Sequence, residues 1–319
     1  MKSIALFCLL ILTGHFSFCQ TIKINGTVTD DKGNPVPFVF IKDAQHNYAT
    51  FSDPNGAFKL SADPASELMA TSNNYQKAVV KIDNKPVVNI VMQPGGVAST
   101  NSTAAGNAFV VTEIGTKGKD TQPLAQFGTT KEELHGSPYL FNSWVHGYAT
   151  TTADSIRQND SYLFNYEKTT GILLYTAGGG TMKAVNKGEI KGFTLYDDNG
   201  QVYTFADVPA INAKVYVQVL SSGDKYIIYK DLNTQFHKAD FTTNGITSSG
   251  NNYDSYDDNS NYYLVKLPGG TPQKFSLKRK AVKNVFATDA AKVNQFMSAH
   301  DSDEIDDIYL EKLGDFMNN

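Results

Sequence analysis

Ile22-Lys23-Ile24-Asn25-Gly26-Thr27-Val28-Thr29, then Asp30-Asp31-Lys32-Gly33-Asn34-Pro35, then Val36-Pro37-Phe38-Val39-Phe40-Ile41 is the stretch on which the fold of this chain turns. Ile22, Ile24 and Val28 fall on one side of an extended backbone and Lys23, Asn25, Thr27 and Thr29 on the other. That is the two-residue period of a half-buried strand. The acidic break carrying Gly33 and Pro35 reads as a turn, and residues 36–41 as a second strand. Residues 48–51 continue the pattern. Asp53-Pro54-Asn55-Gly56 between Phe51 and Phe58 reads as a hairpin connection, with Gly56 supplying the positive φ. Further strands over 68–71, 79–82 and 87–92, with no helical period between them, describe a Greek-key-type β-sandwich over residues 20–94.

Upstream, Met1 and Lys2 precede an apolar run over 4–12 and a Ser17-Phe18-Cys19 tail before Gln20, the order of a secretory signal over 1–19. The run is shorter than the ~20 residues of a spanning helix, so no transmembrane anchor is expected in the mature chain. Lipidation at Cys19 is the rival reading, against which stands the bulk of Phe18. Both cysteines, Cys8 and Cys19, lie in the signal, so the exported chain carries no thiol for disulfides, thiolate metal sites or nucleophilic catalysis. With 319 residues, 41% of them hydrophobic, apolar burial can replace disulfides. The formal charge is -4, and losing the signal removes one cation and no acid, which speaks against a nucleic-acid partner. The expected address is the periplasm, the outer membrane or the medium.

Downstream, residues 95–130 open with a Gly/Ser/Thr/Ala-rich run without apolar period, a flexible linker. From residue 131 the pattern is β again. Hairpin turns are expected at 167–171, 197–200 and 221–224, between strands over 162–166, 172–175, 193–196, 202–205, 215–220 and 226–229. The period then changes: Val293, Phe296, Met297, Ile305, Ile308, Tyr309, Leu313 and Phe316 recur at three- and four-residue spacing. Asp301 with Glu304 offers a capping box. The fold class is thus mainly β, the sandwich being followed by an antiparallel β-rich domain over 131–319 that ends in one or two α-helices.

Two turn signatures in the N-terminal part, Gly26-x-Val28-x-Asp30-x-x-Gly33-x-Pro35-Val36-Pro37 and Ser52-Asp53-x-x-Gly56-x-Phe58-x-Leu60, carry a resemblance. The segment from Ile22 to Met92 resembles the carboxypeptidase-regulatory-like domain, a transthyretin-type β-sandwich. It departs from that family where Asn73-Asn74 precedes Tyr75. The resemblance implies a non-catalytic accessory module of exported bacterial proteins, often found ahead of TonB-dependent transporters, and assigns no catalytic residue. Residues 109–113, Phe-Val-Val-Thr-Glu, are similar to the valine-rich segment of such transporters, but about two hundred residues are too few for their barrel. Gly136-Ser137-Pro138-Tyr139-Leu140 with Trp144 resembles the opening of uncharacterised exported proteins of Gram-negative bacteria and implies no activity.

Several constellations invite chemistry. The acidic stretch 251–259 offers Asp254, Asp257 and Asp258 as oxygen donors to a metal such as calcium, but Tyr256 and Asn259 break the EF-type spacing; a solvated hairpin loop is the simpler reading. His46, His135, His146, His237 and His300 lack zinc-site spacing. Ser155 beside Asp154 has no nucleophile elbow. Gly178-Gly179-Gly180 before Lys183 lacks the ending of a phosphate loop, and Glu132-Glu133 and Asp306-Asp307 are adjacent pairs not tied to a cleft. Tyr253, Tyr256, Tyr262 and Tyr263, in or beside the polar loop, are candidates for an aromatic platform that stacks on sugar rings or peptides; core packing is their alternative role. No cofactor is implied. The expectation is an exported, non-catalytic binding or scaffold protein of the cell envelope, with a glycan or an outer-membrane protein as partner. A hydrolase with dispersed catalytic residues and an accessory subunit of an outer-membrane transport system are the alternatives.

Overall fold

A computed structural model of the chain describes residues 21–95, 111–112, 134–177, 182–243 and 246–319. The signal, most of the 95–130 segment, Gly178-Gly179-Gly180 and Glu132-Glu133 lie outside the described residues. The first seven strands are β1 (Ile22–Asp30), β2 (Phe40–Asp43), β3 (Ala49–Phe51), β4 (Ala57–Ala62), β5 (Glu67–Thr71), β6 (Ala78–Lys81) and β7 (Ile90–Met92). They form two sheets, β4-β1-β7 and β3-β2-β5-β6. Ile24, Val28, Phe58 and Leu60 of the first pack with Ile41, Leu68 and Ala70 of the second, so the apolar period of β1 is the inner face of a sandwich. All pairings are antiparallel except β1 with β7.

One turn chemistry recurs three times. Asp30, Asp53 and Asp197 each accept, through Oδ1, the backbone N–H groups two and four residues on. Each is followed at the third position by a glycine, Gly33, Gly56 or Gly200, with φ of 84°, 75° and 81°. The carboxylate replaces the backbone partner that the reversal removes, and the glycine takes the left-handed conformation that a Cβ disfavours. At Gly200 the demand is double, because a Cβ there would lie 2.9 Å from Cβ of Asp53. Two of these turns, one from each half of the chain, therefore pack against each other.

The remaining strands are β8 (Val111–Thr112), β9 (His146–Thr151), β10 (Ile156–Arg157), β11 (Leu163–Glu167), β12 (Ile172–Thr176), β13 (Met182–Val185), β14 (Ile190–Tyr196), β15 (Val202–Ala206), β16 (Val217–Ser222), β17 (Tyr226–His237), β18 (Thr242–Thr243), β19 (Ser248–Ser249), β20 (Ser255–Lys266) and β21 (Gln273–Phe275). An eight-stranded sheet runs β10-β9-β14-β15-β16-β17-β20-β21, and a four-stranded sheet runs β11-β12-β13-β8. Val111 and Thr112, inside the stretch expected to be linker, pair with Val185 and Ala184 at the edge of the smaller sheet. The expected loop over 251–259 instead enters β20, whose twelve residues pair in register with all twelve of β17. The polar composition concealed a strand because the ladder is made by the backbone, and the Asp and Asn side chains at this end stay near water.

Three helices close the chain: α1 (Arg279–Val285), α2 (Ala290–Ala299) and α3 (Asp307–Asn318). The short α1 buries only Val282, too little to show a period in the sequence. The cap of α3 is Asp306, which accepts the N–H of Tyr309 at 2.8 Å, in place of the Asp301/Glu304 box. Leu310 and Leu313, both fully buried, seat α3 on Leu220, Tyr226 and Ile228, each leucine contributing about 1.5–3 kcal/mol. The helices cover one end of one face of the eight-stranded sheet. The four-stranded sheet covers the other end of that face through Phe164, Tyr166 and Leu173 against Phe193, Phe205 and Leu232. No helix among the described residues is long and apolar enough to cross a membrane.

Candidate functional site

Strand registers sort the eight-stranded sheet into alternating rows. Phe193, Phe205, Gln218, Lys230, Tyr262 and Phe275 are successive cross-strand partners, and this row points into the covered face. The next row is Tyr148, Thr194, Thr204, Val219, Tyr229, Tyr263 and Lys274, and it points the opposite way. Its Tyr148 end meets the N-terminal sandwich. Phe40 and Phe51 pack on Tyr196, with Phe38, Ala49, Tyr148 and Ile156 around them. Phe51 lies 5.0 Å from Tyr196 and Phe38 stacks on His146 at 4.8 Å between ring centres, a geometry in which aromatic pairs gain beyond simple burial. Tyr148 Oη donates to the carbonyl of Ala49 at 3.1 Å. Thr71 and Asn73 reach Asp160 across the same junction.

Beside this junction the two halves enclose an open cleft of ≈ 370 Å³, lined by Asn47, Tyr48, Ala49, Thr50, Lys59, Leu60 and Ser61 from the sandwich and by Tyr148, Thr194, Tyr196, Val202 and Thr204 from the large sheet. Its volume is that of a small-molecule site, but the depression is shallow and wide open to solvent. Burial raises the pKa of both Tyr148 and Tyr196, the latter further through its proximity to Tyr148, so both stay neutral phenols, whose protons are directed within the protein to the Ala49 carbonyl and to Thr50 Oγ1. Tyr48, 37% exposed, stands at the mouth. The lining can stack on a ligand and hydrogen-bond to it through hydroxyls and an amide. Among the described residues Lys59 is, apart from tyrosine phenols, its one ionisable side chain. His146 is close by, but burial lowers its pKa and its ring is taken up by Phe38.

The four tyrosines singled out from sequence do not form one platform. Tyr262 faces the helices, donating to Asp307 at 2.9 Å, and its pKa is pushed upward by burial and then by that carboxylate. Tyr263 points to the opposite face, across from Tyr229, in the row that leads to the cleft. Tyr256 packs on Phe236 and Tyr253 stacks on His135, both at the far end of the β17–β20 ribbon. The three candidate metal donors are likewise apart. Asp254 accepts from the N–H of Ala239, and Asp257 faces His237 at 3.6 Å. Asp258 pairs with the nearly buried Lys168 at 2.7 Å and accepts from Thr234. No group of three or more His, Cys, Asp or Glu able to hold a metal occurs among the described residues.

Ser155 bonds Thr151 within the β9–β10 turn, while Asp154 pairs with Lys191. His46 caps the buried Asp43, and His300 pairs with Asp303. Asp306 and Asp307 are spent on the α3 cap and on Lys230. Sequence reasoning missed the cleft residues because their proximity is a matter of strand order. The detectable signal was the tyrosine content of residues 139–148, which includes Tyr148. No protein-family model matches the chain, and no curated protein matches it at a significant level.

Proposed function

We propose that this chain is an exported, non-catalytic glycan-binding protein of the bacterial cell envelope, and that the cleft between its sandwich and its large sheet is the binding site. The observation that carries the reading is the lining itself: the exposed Tyr48 ring beside a set of neutral hydroxyls and an amide, the groups that stack on sugar rings and hydrogen-bond to their hydroxyls. The signal-like N-terminus and the resemblance to an accessory sandwich module agree with that role and supply the address. The sandwich here forms one wall of the site.

The test is binding of the mature chain to soluble envelope and plant oligosaccharides, measured by isothermal titration calorimetry. Tyr48→Ala removes an exposed ring, and Thr204→Trp fills the cleft floor. Both variants are expected to keep the wild-type unfolding temperature and to lose affinity at least tenfold. Saccharide binding that is unchanged in both would place the ligand elsewhere and reject the cleft.

A further inference from the structure

We infer that the sugar taken by this cleft is acidic, its carboxylate recognised by Lys59; this rests on the glycan reading above. Lys59 lies on the outward side of β4, directly opposite Asn25 of β1. Its side chain is exposed and makes no ion pair among the described residues. On the same face Ser61 is opposite Lys23, so Lys23 is the diagonal neighbour of Lys59, within reach of a long side chain across a strand pair. The exposed Lys23, itself outside the cleft lining, thus adds a second cation beside Lys59 on the outer face of the sandwich.

The facing wall, Tyr148, Thr194, Tyr196, Val202 and Thr204, brings no carboxylate among the described residues to neutralise Lys59. Two ammonium groups side by side repel each other mildly, and an anion bound between them relieves that repulsion. A neutral sugar leaves it in place. The Asn47 amide and the hydroxyls of Ser61 and Thr204 then serve the sugar's own hydroxyls, and the acid group selects which sugar binds. Lysine suits this role as a mobile point charge that can follow a carboxylate on a flexible ring substituent.

The experiment compares digalacturonic acid with its neutral counterpart galactobiose by calorimetry, on the mature wild-type chain and on Lys59→Met and Thr204→Trp. The expected result is that the wild type prefers the acid at least tenfold. Lys59→Met should remove that preference by weakening the acid at least tenfold more than it weakens galactobiose, and added salt should weaken only the acid. Equal affinity for the two sugars, or a preference that survives Lys59→Met, overturns the inference while the cleft reading stands. Acid binding that persists in Thr204→Trp also overturns it, since the charge is then being read outside the cleft. Binding of neither sugar overturns the inference, and the cleft reading is then decided by the oligosaccharide panel with Tyr48→Ala and Thr204→Trp.

Discussion

Phe51→Ala tests whether the two halves of the chain act as one body. Phe51 is 5% exposed, and its ring lies 5.2 Å from Phe40, 5.0 Å from Tyr196 and 5.7 Å from His146. It thus joins the aromatic group between the halves and is not part of either main core. Truncating a buried phenylalanine costs about 3–5 kcal/mol, from lost transfer energy and from the cavity left behind. At about 2–4 °C per kcal/mol for a unit of 150–250 residues, that is roughly 10 °C. Because the loss falls on the junction, the effect should be on coupling. By scanning calorimetry the wild type should unfold in one transition, and Phe51→Ala in two, the first displaced downward by that amount. Leu310→Ala, in the helix-capped core, should lower the transition without splitting it. A Phe51→Ala protein that melts in one transition at the wild-type temperature would refute the reasoning.

Two further substitutions probe carboxyl groups whose pKa values are shifted in opposite directions. Burial, followed by the neighbouring Asp307, Asp315 and Asp306, raises the pKa of Glu311 despite Lys230. The folded state then binds the proton more tightly than the unfolded one, so ionising Glu311 costs stability as pH rises. Glu311→Gln should raise the melting temperature at pH 7, and the gain should vanish below the ordinary carboxylate value of 4.5; a gain independent of pH would contradict this origin. Asp43, fully buried, is opposed by desolvation. Its bonds from Ser66 Oγ and from the N–H groups of Gln45, Asp63 and His46 outweigh that and lower its pKa below 3.8. Asp43→Asn should cost about 3 kcal/mol at pH 7, the scale of charged hydrogen bonds. The difference from wild type should persist above the unfolded value and be lost as pH falls through the lowered one. Urea unfolding at pH 7 and pH 3 reads both, and an equal cost at the two pH values would show that the charge is not what holds this loop.

Much of the architecture was legible along the chain because local chemistry dictates it. The alternation in β1, the three Asp-x-x-Gly reversals and the helical period of α2 and α3 each depend on residues within a few positions of one another. Their side chains face the same way whatever the rest of the chain does. Where local chemistry was ambiguous, the reading stopped short: polar β20 passed for a loop, since its strand character comes from pairing with β17 and not from its own side chains.

The site lay beyond that horizon for the same reason. Tyr262 and Tyr263 are neighbours in sequence, yet the pleat sends one under α3 and the other to the opposite face. Tyr148, Thr194 and Thr204 meet only because β9, β14 and β15 are laid side by side, and Lys59 joins them only because the sandwich docks there. Sequence by itself determined most of the strands and their turns, the last two helices and the absence of thiols from residue 20 onward, all of them short-range properties. Tertiary structure alone decided which tyrosines face the cleft and which fill the core, because that depends on strand order and on the packing of one half against the other.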